Sequence, residues 1–140
     1  MNKNRKVRSI NNIKRTADYW LSGSKYDLET ADVLLIGKKY PYALFMGHLA
    51  LEKLLKALVV QYTNEHAPYT HSLPLLASKL PFAIPDMVKD KLAEFMEFHI
   101  ESRYPDERKT FYNICTSSFT RKNIARIKEI YKWLSKRLKY

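Results

Sequence analysis

Four groups of residues carry side chains able to do chemistry. Glu52 and Lys56 stand one helical turn apart in ALEKLLKAL, residues 50–58. Chemically, Glu52 would orient a neighbouring arginine or histidine while Lys56 meets phosphate. Architecturally, an i, i+4 Glu–Lys pair is common on helices and worth only about 0.3–0.5 kcal/mol. His71 follows in Thr70-His71-Ser72-Leu73, on a proline-rich stretch. Histidine as a residue type titrates near neutrality and suits an acid, a base or a phosphate donor, although a loop histidine equally caps local backbone. In Arg103-Tyr104-Pro105-Asp106 a guanidinium stands at a helix exit, where it can clamp a carboxylate or phosphate through two parallel bonds. Pro105 makes the same stretch a believable structural buttress. His99 precedes Arg103 by one helical turn, so the two would share a face; it also lies on an apolar stripe, as a core histidine would. The fourth group is the basic, tyrosine-bearing C-terminal segment, readable as a phosphate-facing surface or as a solvated one.

The stronger catalytic signatures are missing. There is no glycine-rich phosphate loop, no zinc spacing of Cys and His, no GxSxG and no HExxH. No cofactor and no metal are therefore expected. The chain of 140 residues carries a formal charge of +11, and its distribution is informative. Residues 1–15 hold six basic side chains and no acidic one; residues 121–140 hold eight and one. The middle is nearly balanced. Were the two basic ends to lie side by side, they would make a positive face suited to phosphate. Cys115 is alone, so no internal disulfide can form and a reducing, cytoplasmic setting is expected. The basic N-terminus has no apolar segment behind it, as a signal peptide would, and no run approaches the roughly 18 apolar residues that span a bilayer.

These candidates need elements to hold them. The stretch Pro41–Thr63 is the natural centre: Leu44, Ala50, Leu51, Leu54, Leu55, Ala57 and Leu58 fill more than half of a helical circumference, and His48, Glu52 and Lys56 form a narrow polar stripe. Before it, apolar residues from about Ser9 to Leu35 recur at three- and four-residue steps, with Ser22-Gly23-Ser24 as a potential bend and Gly37 near the C-cap. A short connection pairs these two helices as an antiparallel hairpin. Four of the six prolines fall between 64 and 85, predicting a crossover with one short helix, Leu73–Lys79, capped by Ser72. A helix is expected over Asp86–Ser102, ended by Pro105; irregular but packed chain over 106–119; and a final helix from about Thr120 to Leu138. The expected fold class is all-α, a mostly up-and-down bundle of four long helices plus the short crossover helix. Residues 1–8 read as a flexible basic arm and 9–140 as a single helical domain.

Taken together, Tyr19-Trp20, Asp27-Leu28-Glu29-Thr30-Ala31, Tyr40-Pro41-Tyr42-Ala43, the run from His48 to Leu58, His71-Ser72-Leu73 and Arg103-Tyr104-Pro105-Asp106 give a chain that resembles the HEPN family (higher eukaryotes and prokaryotes nucleotide-binding). ALEKLLKAL and the RYPD exit are the most specific parts. The resemblance implies a compact, mostly up-and-down helical bundle, commonly a homodimer. Members include metal-independent ribonucleases acting as toxins or defence effectors, proteins that bind nucleotides, and partners of minimal nucleotidyltransferases in toxin–antitoxin-like pairs. The ribonuclease members carry Arg-x(4–6)-His on a late helix. Here no histidine follows an arginine at that spacing, and His99-x3-Arg103 has the order reversed, so that catalytic pair is not carried over.

The expectation is thus a protein that binds nucleotide or RNA phosphate through Lys56, His71, Arg103 and Tyr104, with Glu52 and Asp106 orienting. It would act with a nucleotidyltransferase partner. The alternatives are a ribonuclease drawing on His71, His99 and Arg103, or a non-catalytic structural bundle.

Overall fold

The computed structural model describes residues 10–139; the expected basic arm, 1–8, lies outside them. Six α-helices run in the order α1 (Ile10–Ile36), α2 (Tyr40–Thr63), α3 (Leu73–Ser78), α4 (Asp86–Glu94), α5 (Pro105–Ile114) and α6 (Ser117–Ser135). No strand occurs among the described residues. The protein is an all-α bundle.

α2 is the centre because it is apolar nearly all round. Sixteen of its 24 residues are buried, which no single neighbour could achieve. Pro41 sits in its first turn, where a missing N–H costs nothing, and Asn64 closes it in the left-handed conformation, its N–H on the Val60 carbonyl at 3.0 Å. α1 packs along one side through a seam of small residues spaced by seven, Ala17, Ser24 and Ala31, all buried. The Ser24 hydroxyl donates to the Ala50 carbonyl at 2.6 Å and shares a hydrogen bond with the Tyr131 hydroxyl at 2.9 Å. These contacts explain why α1 runs unbroken through Ser22-Gly23-Ser24, where a bend was conceivable: the small residues serve close approach to α2. α6 crosses α2 at Gly47, where an added Cβ would stand 2.8 Å from Ile127 Cδ1, and it also meets α1, Lys128 pairing with Asp32 at 2.6 Å.

The turn between α1 and α2 differs from expectation in one residue. Gly37 has no left-handed φ, and Lys38 takes that conformation instead, at φ 60°. The Lys39 N–H reaches the Leu34 carbonyl at 2.8 Å and the Lys38 N–H reaches Leu35 at 3.1 Å, the two bonds of a Schellman motif.

Two further differences fall between 86 and 119. The expected helix over 86–102 ends at Glu94 and continues as two 3-10 turns, Phe95–Phe98 and Ile100–Ser102, separated by His99 at φ −78°, ψ 83°. Phe95, Phe98, His99 and Ile100 are all buried, and one face of a regular α-helix cannot point all four inward. Tightening and breaking the chain does so, and stacks Phe95 on Phe98 with centroids 5.5 Å apart. Residues expected to be irregular form α5. Pro105, which ends the preceding segment, is also the first-turn proline of the next helix, with Asp106 and Glu107 at its positive end. The last helix begins at Ser117, capped by Thr116, whose hydroxyl accepts from the Phe119 N–H at 3.2 Å. No helix among the described residues is long and apolar enough to cross a membrane.

Candidate functional site

α2 presents His48, Glu52 and Lys56 at successive helical turns, and all three are buried, at 0%, 4% and 6% exposure. A carboxylate and an ammonium so placed require partners. Glu52 Oε2 accepts from Lys56 Nζ at 3.0 Å, while Oε1 lies 3.1 Å from His71 Nδ1 and 3.5 Å from His48 Nε2. Lys56 is roofed by Trp20 of α1, its Nζ 4.9 Å from the ring centroid. The site is therefore built across the hairpin and roofed by the crossover.

His71 reaches Glu52 because the crossover is pinned on its C-terminal side. The Ser72 N–H donates to Thr70 Oγ1 at 3.1 Å, the Ser72 hydroxyl caps α3 through the Leu75 N–H at 3.1 Å, and the Leu73 N–H meets Met96 Sδ at 3.3 Å. The His71 side chain remains 56% exposed, so it is the cluster's opening to solvent. Beneath it lies His99, delivered by the break between the two 3-10 turns. Its ring is 4.5 Å from that of His71, 5.1 Å from His48 and 5.4 Å from Phe45. Three of the four histidines in the chain thus form one cluster around a single carboxylate.

The electrostatics follow from burial. Desolvation alone would raise the Glu52 carboxyl; His48, Lys56 and His71 outweigh it and hold the group at about 2, so it stays ionised. Burial lowers the pKa of His99, and the neighbouring His48 and His71 lower it further, so its ring is neutral near pH 7. Its Nδ1 is buried without a hydrogen-bond partner, unlike the satisfied core histidine that its place on an apolar stripe implied.

Of the sequence candidates, Glu52, Lys56, His71 and His99 come together. Arg103 does not join them: its Nε donates to the Glu97 carbonyl at 2.9 Å and its guanidinium lies 5.0 Å from the centre of the Phe111 ring. Tyr104 is exposed at the N-cap of α5, and Asp106 lies in the first turn of that helix. His48 was legible only as part of a polar stripe. Its spacing of four from Glu52 was the available signal; Trp20 belonged to the family pattern, but nothing in the sequence placed it on Lys56.

The chain is thus an all-α bundle wrapped around an apolar central helix, with a buried carboxylate ringed by histidines. The HEPN domain profile matches residues 17–138, and the chain belongs to the HEPN domain family. Two solved structures share the fold. TT1696 from Thermus thermophilus matches with a TM-score of 0.74 and 22% identity, over 87% of this chain and 98% of its own. ST0689, an archaeal HEPN homologue, matches with a TM-score of 0.68 and 20% identity, over 88% and 98%. A search of curated proteins found no match.

Proposed function

We propose that this HEPN protein binds nucleotide or RNA phosphate at the His71 opening and acts as the non-catalytic half of a pair with a minimal nucleotidyltransferase. The observation that carries the reading is the half-exposed His71 held on the buried Glu52 carboxylate. A carboxylate behind an imidazole fixes the orientation in which the ring meets a ligand. Tyr69, fully exposed with its ring 6.4 Å from His71, adds a face on which a base can stack. Lys56 serves by holding Glu52 rather than by touching phosphate, since it is buried under Trp20.

The charge distribution supports the same reading. Ile13 and Ala17 of α1 pack with Val60, and the Tyr62 hydroxyl donates to the Arg137 carbonyl at 2.7 Å. The start of α1 and the end of α6, both basic, therefore reach the same end of α2. Membership of the family supports the partner. Self-association is supported by the outer face of α1, where Tyr19, Tyr26 and Val33 recur at seven-residue steps and are exposed together with Ile36.

A second reading has its own observation. The His71 and His99 rings, 4.5 Å apart, could pass a proton between a 2′-hydroxyl and a leaving oxygen in a metal-independent ribonuclease. Labelled RNA and nucleotide incubated with purified protein in chelator separate the two. The binding reading expects intact RNA, saturable binding, and a loss of about tenfold or more in His71→Ala. Cleavage by wild type that disappears in a folded His99→Gln protein would replace it with the ribonuclease reading.

A further inference from the structure

The cluster contains an arrangement that phosphate binding does not use. His48 Nδ1 lies 3.2 Å from the Phe95 carbonyl, which can only accept, so Nδ1 carries the ring proton. In the neutral ring Nε2 is then a bare lone pair. It faces Glu52 Oε1, also an acceptor, at 3.5 Å, and makes no hydrogen bond. Two acceptors held face to face in a buried site call for a positive centre between them. Either a proton lies between the two atoms, the arrangement in which His48 helps to hold the Glu52 carboxyl down, or a cation binds there.

The spacing of His48 and Glu52 matches a cation, and the third donor is within reach of it. Donors about 2.0–2.1 Å from a tetrahedral zinc ion are separated by about 3.3 Å, close to the 3.5 Å between His48 Nε2 and Glu52 Oε1. His99 supplies a third donor: one ligand atom from each of His48, Glu52 and His99 falls within 4.8 Å of the others, and all three residues are buried. His99 also has a buried Nδ1 without a partner and lies at the junction of two 3-10 turns. Lys56 holds Oε2, so an ion would share Oε1 with His71, which lies 3.1 Å from it. An Nδ1–H donated to a backbone carbonyl is how metal-binding histidines are oriented to present the other nitrogen.

We propose that His48, Glu52 and His99 bind a divalent transition-metal ion of the zinc class, with a fourth position open toward His71. Two imidazoles and one carboxylate favour zinc, cobalt, nickel or copper over magnesium or calcium, which prefer all-oxygen shells. The ligands escape zinc-spacing motifs because two come from one helix and the third from a turn 47 residues after Glu52. The site shares Glu52 with the His71 contact that carries the phosphate-binding reading but draws its other two donors from His48 and His99, and a metal titration without RNA or nucleotide reads it separately.

The test uses the full chain, stripped with chelator, dialysed and titrated with CoCl2. One equivalent of Co2+ per chain is expected, with the intense visible bands of low-coordinate cobalt, displaced by equimolar ZnCl2 and indifferent to MgCl2. His99→Gln should weaken binding at least about 100-fold. His66→Gln, at an exposed histidine outside the cluster, should leave it unchanged. Circular dichroism verifies each fold. If His99→Gln does not fold, the wild-type titration and the His66→Gln control decide alone. Wild type that gives no cobalt bands, bands retained at wild-type affinity in folded His99→Gln, or bands lost in folded His66→Gln each overturn the proposal. The first result would mean that a proton on His48 fills the gap.

Discussion

His71 Nδ1 lies 3.1 Å from Glu52 Oε1, a contact that joins the 64–72 crossover to the centre of the bundle. The same carboxylate holds buried Lys56 at 3.0 Å, so one side chain satisfies a loop and a core cation together. Glu52→Ala leaves that ammonium uncompensated and should cost about 3–5 kcal/mol. The double variant Glu52→Gln with Lys56→Met should be more stable than Glu52→Ala, because it removes the orphaned charge. Urea unfolding in chelator measures both, and a Glu52→Ala protein as stable as wild type would contradict the argument.

The pH dependence has a definite sign. Glu52 is held at about 2 in the folded protein against an ordinary 4.5, so its ionised form stabilises the fold above pH 4.5. That contribution declines as pH falls from 4.5 towards 2 and is roughly 3 kcal/mol in full. Unfolding midpoints of wild type and Glu52→Gln should therefore converge through this window. Parallel curves would show that the carboxylate contributes nothing specific.

Much of this architecture was legible because composition and local chemistry agreed. The apolar circumference of 41–63 marks a central helix, and Ser72 before Leu73 marks a cap that the structure uses. What escaped is instructive. The reading that put Arg103 on one face with His99 assumed an unbroken helix over 86–102. The break at His99, forced by the burial of Phe95, Phe98 and Ile100, sends Arg103 to the Glu97 carbonyl and Phe111 instead. Likewise, nothing local says that His48, His71 and His99 meet. Their convergence is set by packing across three separate segments, and periodicity reports only on one helix at a time.

Lys38 offers a stabilising change. A side chain in the left-handed region is strained, and glycine relieves the clash while keeping both Schellman hydrogen bonds. Set against the extra freedom that glycine gives the unfolded chain, Lys38→Gly should still gain about 0.5–1 kcal/mol. Thermal unfolding should show a melting temperature higher by about 2–3 °C for a domain of this size. A lower value would mean that the Lys38 side chain contributes contacts worth more than the strain.

Self-association makes the last prediction. Tyr19, Tyr26 and Val33 lie seven residues apart on α1 and are exposed. The opposite face of the same helix is the buried seam of Ala17, Ser24 and Ala31, so these outer residues are not needed to close the bundle. A seven-residue apolar repeat on an exposed helix face is the pattern by which two copies pack helix to helix. Tyr26 is at its middle. Tyr26→Glu would bring two like charges together across a symmetric interface without entering the core, so it should yield monomer while leaving thermal stability per chain nearly unchanged. Light scattering at micromolar concentration should show a dimer for wild type and a monomer for Tyr26→Glu. A monomeric wild type, or a dimer that survives the substitution, would remove α1 as the interface.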